Sequence, residues 1–379
     1  MRRTTSLTVL LLGTALLTPA GMATAAGETC RGEAATIVGT GPTINGTDGR
    51  DVTVTRPSWT VLAGAGDDLI CVKGRNPSGG NVIDLDAAAG NDLVDTTAMP
   101  AGFYLTAVLG AGSDTFVGGP GSDTVIARAP KPDAQPNDGE RDVIDTGAGT
   151  DDVTSGVPGL ANSDVVRTGN GDDDVTWSGV MGGDGVLDAG AGHDLFYADA
   201  SGQTFRIDLD AQTLTRDGVL QARFNSFESL YVSPEPGLGT VQAVGSEGDD
   251  VINLGVGAFE VQADLRGGDD YLGHGNFDSD TEQGYDCAES RVTLRGGAGN
   301  DDIKGSVRSE RIYGGAGNDN IFTGPAGVGV NKAWGGKGKD VLEGGGDKDV
   351  LLGGAGRDKA DGGKSRDRCA AEIEKLCEG

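Results

Sequence analysis

The chain has 379 residues, 68 of them glycine, and 58 acidic against 30 basic side chains give a formal net charge of −28. Aromatic residues make up only 5%, so a length that would permit a large core is not matched by material to fill it. High charge with few aromatics ordinarily signals disorder, and the negative balance disfavours nucleic acid as a partner. Against disorder stands a glycine pattern too regular for a linker, which points to internal repeats.

Arg2 and Arg3 precede the apolar run L-T-V-L-L-L-G-T-A-L-L and the small residues A-T-A-A at 23–26. This pattern predicts a signal peptide over residues 1–26, cleaved after Ala25 or Ala26. The run is too short for a membrane anchor, and Pro19 and Gly21 interrupt its end. No later segment is apolar enough to span a bilayer, so the expected product is secreted, extracellular and not anchored. Without the two leader arginines the balance is 28 basic against 58 acidic residues, or −30. Five cysteines in an exported chain suggest disulfides with at least one thiol left over. The preferred pairs are Cys30 with Cys71 and Cys369 with Cys377, each tying down a terminus, with Cys287 as the odd one. Fifteen ways of drawing two bridges among five cysteines leave this a preference.

An acidic glycine turn then recurs along the chain: A-G-A-G-D-D-L-I at 63–70, A-A-A-G-N-D-L-V at 87–94, L-G-A-G-S-D-T-F at 109–116 and G-G-P-G-S-D-T-V at 118–125. Further copies are T-G-A-G-T-D-D-V, T-G-N-G-D-D-D-V, A-G-A-G-H-D-L-F and G-S-E-G-D-D-V-I, with the shortened R-G-G-D-D-Y-L at 266–272. Short alternating stretches such as N-V-I-D-L-D precede the turns and predict strands. Residues 201–244 lack the glycine turn but hold Phe205, Phe224, Phe227 and Tyr231, read as rungs with a larger core; a ligand-binding surface is the alternative. From 296 the units become contiguous nonapeptides: G-G-A-G-N-D-D-I-K at 296–304, a degenerate unit at 305–313 and G-G-A-G-N-D-N-I-F at 314–322. A twelve-residue insertion follows, then four more units over 335–370. The expected organisation is therefore an irregular roll over 27–295 with one acidic turn per coil, a regular roll over 296–370 with both turns acidic, and a cap over 371–379. The cap is expected to form a helical turn or two, with Ile373 and Leu376 covering the open end. The fold class is all-β, a right-handed parallel β-roll or β-solenoid with coils of roughly twenty residues.

One inward apolar side chain per nine residues offsets little of the cost of ordering nine backbones. Stacking adds a further penalty. Rungs about 4.8 Å apart place carboxylates where each pair repels by roughly 1 kcal/mol in water and by more when shielded. Positive charge must sit between the turns. Carboxylates and turn carbonyls are hard oxygen ligands that suit calcium, and the two histidines, His193 and His274, make no nitrogen-rich site. A lone aspartate would be an ordinary turn former; its recurrence at one place in every copy is what argues for a metal.

These residues resemble the RTX (hemolysin-type) calcium-binding nonapeptide, G-G-x-G-x-D-x-U-x with U a large apolar residue, met fully at 118–126, 296–304, 314–322 and 335–343. The resemblance covers most of 46–370. It implies a parallel β-roll in which sixth-place aspartates and turn carbonyls of successive rungs share Ca²⁺. The implied ligands are Asp68, Asp92, Asp114, Asp123, Asp151, Asp173, Asp194, Asp250, Asp270, Asp301, Asp319, Asp340, Asp349, Asp358 and Asp367. Two departures stand out. A cleavable N-terminal leader replaces the family's C-terminal secretion signal, as in secreted calcium-binding proteins of actinobacteria. The last block also sets Lys339, Lys348, Arg357 and Arg366 beside its aspartates, and Ala360 replaces the apolar residue, so ion pairs partly substitute for calcium there.

Catalytic signatures are missing. There is no H-E-x-x-H and no G-x-S-x-G, and G-G-K-S at 362–365 lacks the first glycine of a phosphate loop, Asp358 standing in its place. Residues 278–289 mimic an EF-hand loop through Asp278, Asp280, Glu282 and Glu289, but Gln283 holds the place of the turn glycine, so a solvated loop is expected. The chain is read as a calcium-binding structural or binding protein and not an enzyme. The alternatives are a calcium-stabilised surface adhesin, which would take cell-surface or matrix polymers as partners, and a polysaccharide-active enzyme using a carboxylate pair.

Overall fold

The computed structural model describes residues 27–377 apart from 57, 74–81, 128–139, 201, 235–238, 256, 257, 259, 276–290, 307 and 326–329. The expected signal peptide, Cys287 and the EF-hand-like stretch lie outside the described residues. Those residues form strands and turns and no helix, and none of their segments is a helix long and apolar enough to cross a membrane.

Short alternating stretches build a parallel β-solenoid, as the sequence predicts. A long sheet of 16 strands runs from Thr43–Asn45 at one end to Ile373–Lys375 at the other. Facing it are an 8-stranded sheet, from Ile37–Val38 to Val186–Ala191, and then a 10-stranded sheet ending at Arg368–Ala370. The chain passes from the long sheet to the facing one and back, so consecutive visits to one sheet pair in parallel: Leu85 sits beside Ala107, and Ala107 beside Val125. The 10-stranded sheet opens with a local antiparallel meander, Thr204–Asp208, Thr213–Arg216 and Val219–Arg223, whose residues Asp217 and Gly218 make the tight D-G turn.

The core is a column of side chains, one from each short strand. Ile303, Ile312, Ile321, Leu342 and Leu351 at the eighth place are completely buried, because alternation points that residue inward and its neighbours out. Phe205, Phe224 and Phe227 are buried as well, with Phe196 packed 5.2 Å and 5.3 Å from the last two. The glycine-poor section is thus a set of rungs with a wider core, while Tyr231 faces outward beside Tyr197.

Both expected disulfides form, Cys30–Cys71 and Cys369–Cys377. The first fastens an antiparallel pair, Thr29–Cys30 with Glu33–Ala34, beside a second small core of Val38, Val52, Val54 and Leu69. At the other end the expected helical turn is corrected. Ile373–Lys375 is a strand added to the long sheet beside Lys359–Asp361, and Ile373 and Leu376 are exposed. Unpaired amide and carbonyl groups on the last rung recruit the tail more strongly than its helical spacing does. Cys369, Ala371 and Cys377, rather than Ile373 and Leu376, pack against the end of the core.

Candidate metal centre

Each coil has two edges: a first edge, where the chain leaves the long sheet, and a second, where it returns. Counting the apolar core residue as the eighth place, the sixth-place residue ends each turn. Its amide donates to a side-chain oxygen of the sixth-place residue one rung further on, Oδ1 for aspartate and asparagine and Oε2 for glutamate. On the first edge this row runs from Asp51 to Asp68 at 2.7 Å, then through Asp92, Asp114 and Asp142 to Asp164. On the second edge it runs from Asp123 through Asp151, Asp173 and Asp194 to Glu228. It resumes at Asp250 and continues through Asp270, Asp301, Asp319, Asp340 and Asp358 to Glu372. A third row returns to the first edge, where Glu310 donates to Asn331 at 3.0 Å and Asp349 to Asp367 at 2.9 Å.

All fifteen aspartates expected from the sequence lie in these rows, and each is at most 3% exposed. Rows of carboxylates, not isolated turns, are the unit of the structure. The acidic turns change edge where two copies follow nine residues apart, Asp114 on the first edge and Asp123 on the second.

In each carboxylate that accepts from the rung before it, one oxygen is spent on that bond. The other is buried without a partner in Asp68, Asp92, Asp151, Asp173, Asp194, Asp270, Asp301, Asp319, Asp340, Asp358 and Asp367. That oxygen lies inside the turn. A Cβ added to first-place Gly314 would overlap Asp319 Oδ2, and one on Gly335 would overlap Asp340 Oδ2, so glycine leaves the space the oxygen faces. Asp250 differs, since Ser246 donates its amide to Oδ2 at 2.6 Å and its hydroxyl to Oδ1 at 3.1 Å. Asp51 and Asp164 are likewise served, by Thr47 and Ser155.

Burial in this row makes ionisation costly. It pushes Asp92, Asp123, Asp270 and Asp319 up to about 7, with the aspartate of an adjacent rung adding repulsion in each. Asp151 and Asp194 rise to about 6, again mainly through burial. A bound cation reverses this logic, because its own charge stabilises the carboxylates that burial penalises.

The donor set fits a hard cation held partly by main chain. Among the described residues no three His, Cys, Asp or Glu side chains converge on one point, so carboxylates alone make no cage. Calcium takes six to eight oxygens, about 2.3–2.6 Å away, from carboxylates and carbonyls alike, and turn carbonyls stack in register beside each row. His274 brings a nitrogen only to the head of the third row. Its Nδ1 lies 2.6 Å from Glu310 Oε1, with both side chains fully buried.

Seven members of the rows escaped the sequence reading: Asp51, Asp142, Asp164, Glu228, Glu310, Asn331 and Glu372. Most lie in turns that lack the glycines. Where glycine is missing at a left-handed place another residue accepts the strain, with φ of 72° at Ala88, 68° at Arg266 and 61° at Ser226. Asn331 also corrects the twelve-residue insertion. It stands at a sixth place with Ala333 fully buried at the eighth, so the described part of that stretch, 330–334, closes as a repeat does. For all of these but Glu372, the signal available in the sequence was an acid or amide two residues before a buried side chain.

The family model for the RTX calcium-binding nonapeptide repeat matches the chain four times, at residues 107–129, 291–307, 295–325 and 326–368. No curated protein matches it. The first match spans the pair of turns where the acidic row changes edge, and the last includes the degenerate unit around Asn331. With its nonapeptides stacked in a parallel solenoid and their sixth-place acids in register, the chain is an RTX-repeat protein.

Proposed function

We propose that this chain is a secreted calcium-binding protein whose roll completes its folding after export, as Ca²⁺ fills the acidic turns, and that its role is structural or binding and not enzymatic. The observation that carries this reading is the set of buried, unpartnered carboxylate oxygens in eleven of the turns, which in the last block face the space left by first-place glycines. Bound calcium supplies the positive charge these rows lack. Asp68, Asp92 and Asp114 would hold it on the first edge, as would Asp349 and Asp367. On the second edge the ligands would be Asp123, Asp151, Asp173, Asp194, Asp270, Asp301, Asp319, Asp340 and Asp358. Asp250 is a weaker ligand because Ser246 already occupies its oxygens. In the cell, where free calcium is scarce, the rows would stay charged and the coils loose; outside, binding and folding are one event. The leader-like N-terminus and two disulfides support export into an oxidising compartment.

Titration calorimetry on the metal-stripped chain tests the reading. Calcium at millimolar concentration should bind at several sites with a gain of far-ultraviolet β signal. Asp319→Asn should take up fewer ions per chain than the parent, and Asp302→Asn, a half-buried neighbour outside the rows, should take up as many. Equal uptake by both variants would contradict the assignment.

A further inference from the structure

The chain carries −28 overall, yet the last five strands of the 10-stranded sheet turn no acid outward. The strands Arg291–Ala298, Glu310–Ala316, Val330–Gly338, Lys348–Gly356 and Arg368–Ala370 are neighbours in the 10-stranded sheet. Their alternating burial turns Arg291, Arg295, Arg311, Lys332, Lys348 and Arg368 outward. The acids of the same strands, Glu310 and Asp349, both point inward. None of the six cations is in an ion pair among the described residues. Arg311 and Lys332 are direct register partners, side by side at the strand spacing of about 4.8 Å, where like charges repel.

The opposite face of the same coils is different. There Lys304 pairs with Asp302, and Lys375 with Asp361, while Lys359 has no ion pair among the described residues. None of the cations on the last five strands of the 10-stranded sheet is answered in that way. Upstream the basic area stops at Glu260 and Asp264, register partners of Arg291 and Arg295, which leaves Arg311, Lys332, Lys348 and Arg368 as its centre. Along one margin the rings of Tyr313 and Trp334 stack at 4.6 Å and 5°, with Arg295 over the free face of Tyr313 and Leu352 in register beyond Trp334.

We infer that this face docks an acidic polysaccharide along the roll axis. A flat sheet with cations repeating from rung to rung suits an extended linear polymer carrying an anionic group at intervals. The arginines present forks matched to carboxylate or sulfate. A single-stranded nucleic acid fits less well, because it needs exposed ring faces for its bases, whereas Tyr313 and Trp334 cover one another and Arg295 lies over Tyr313. The inference goes beyond calcium binding and depends only on the coils being folded.

Binding is measured on the full mature chain in saturating calcium, by Trp334 fluorescence and by calorimetry, with hyaluronate, dextran sulfate, neutral dextran and oligothymidylate as probes. At least one acidic glycan should bind, neutral dextran should not, and affinity should fall as salt rises. The triple variant Arg311→Gln, Lys332→Gln, Arg368→Gln should bind about tenfold more weakly or worse, since each neutralised cation removes one released counterion. Its circular dichroism and calcium uptake should match the parent, which separates failure of this inference from failure of the calcium reading. Lys304→Gln, Lys359→Gln, Lys375→Gln makes the same charge change on the opposite face and should keep parental affinity. The inference is overturned if neither acidic glycan binds, if the first triple variant binds as well as the parent, if both triple variants lose affinity equally, or if oligothymidylate binds as tightly as the glycans.

Discussion

Gly317→Val should melt the C-terminal coils while leaving the N-terminal half folded. Gly317 has φ of 148°, and a Cβ there would overlap the carbonyl oxygen of Gly299 on the rung before it. The substitution therefore meets two penalties, left-handed strain of about 1–2 kcal/mol and a clash with main chain that moves only if the rungs separate. A combined loss of about 3 kcal/mol or more is expected. In a solenoid each rung contacts only its neighbours, so the damage stays local. Trp334, one rung away through its stack on Tyr313, reports the transition, with denaturant midpoint in saturating calcium as the measurement. Gly183→Ala is the control, since an added Cβ there meets nothing within 4 Å, and it should shift the midpoint by less than about 0.5 kcal/mol. Equal behaviour of the two variants would show that the turns do not pack as described.

The second large effect is an inversion of pH dependence by calcium. In the metal-free fold, burial raises Asp92, Asp123, Asp270 and Asp319 to about 7 and Asp151 and Asp194 to about 6. Between the ordinary aspartate value and these raised ones, the folded chain binds more protons than the unfolded chain. Stability is then fully present below about pH 4 and is lost as pH rises through 6 and 7. With calcium the slope reverses, because the ion needs the carboxylates ionised and gains affinity over the same window. Melting of the metal-stripped chain should rise in temperature on going from pH 8 to pH 5. The calcium-loaded chain should change in the opposite direction. A stripped chain that loses stability on acidification across that window would contradict the burial of these rows.

The glycine turns, the sixth-place aspartates and both disulfides were legible because each is a local pattern with a local cause. A left-handed φ selects glycine, and a terminus is pinned by the cysteine nearest it. Glu228, Glu310 and Asn331 were not legible in the same way. Their turns lack the full glycine set, and what places them in the rows is the stacked rung beside them. The change of edge between Asp114 and Asp123 was written in a nine-residue step, but longer spacings are the same for either edge and conceal it. Ala371 to Leu376 reads as a helix by local spacing alone; the unpaired last rung makes it a strand. The larger core at 201–244 could be read from its aromatics, whereas its antiparallel meander depends on pairings at sequence distances no local pattern reveals.

The basic face shows the same division. Individual lysines and arginines of the last block were visible, and their placement beside aspartates suggested ion pairs along the stack. Folding turns Asp340, Asp349 and Asp358 into the roll, while Lys339, Lys348 and Arg357 beside them are exposed. The last block thus sets a negative row inside the roll and a basic strip on its 10-stranded face.

The central claim is that cations compensate the buried carboxylate rows, and thermal melting of the mature chain at neutral pH, before and after exhaustive removal of divalent ions, tests it most directly. With several ions each contributing their binding free energy to the folded state, removal should lower the melting temperature by roughly 10 °C or more, and restoring calcium should recover it. An unchanged melting temperature in the stripped chain would contradict the account.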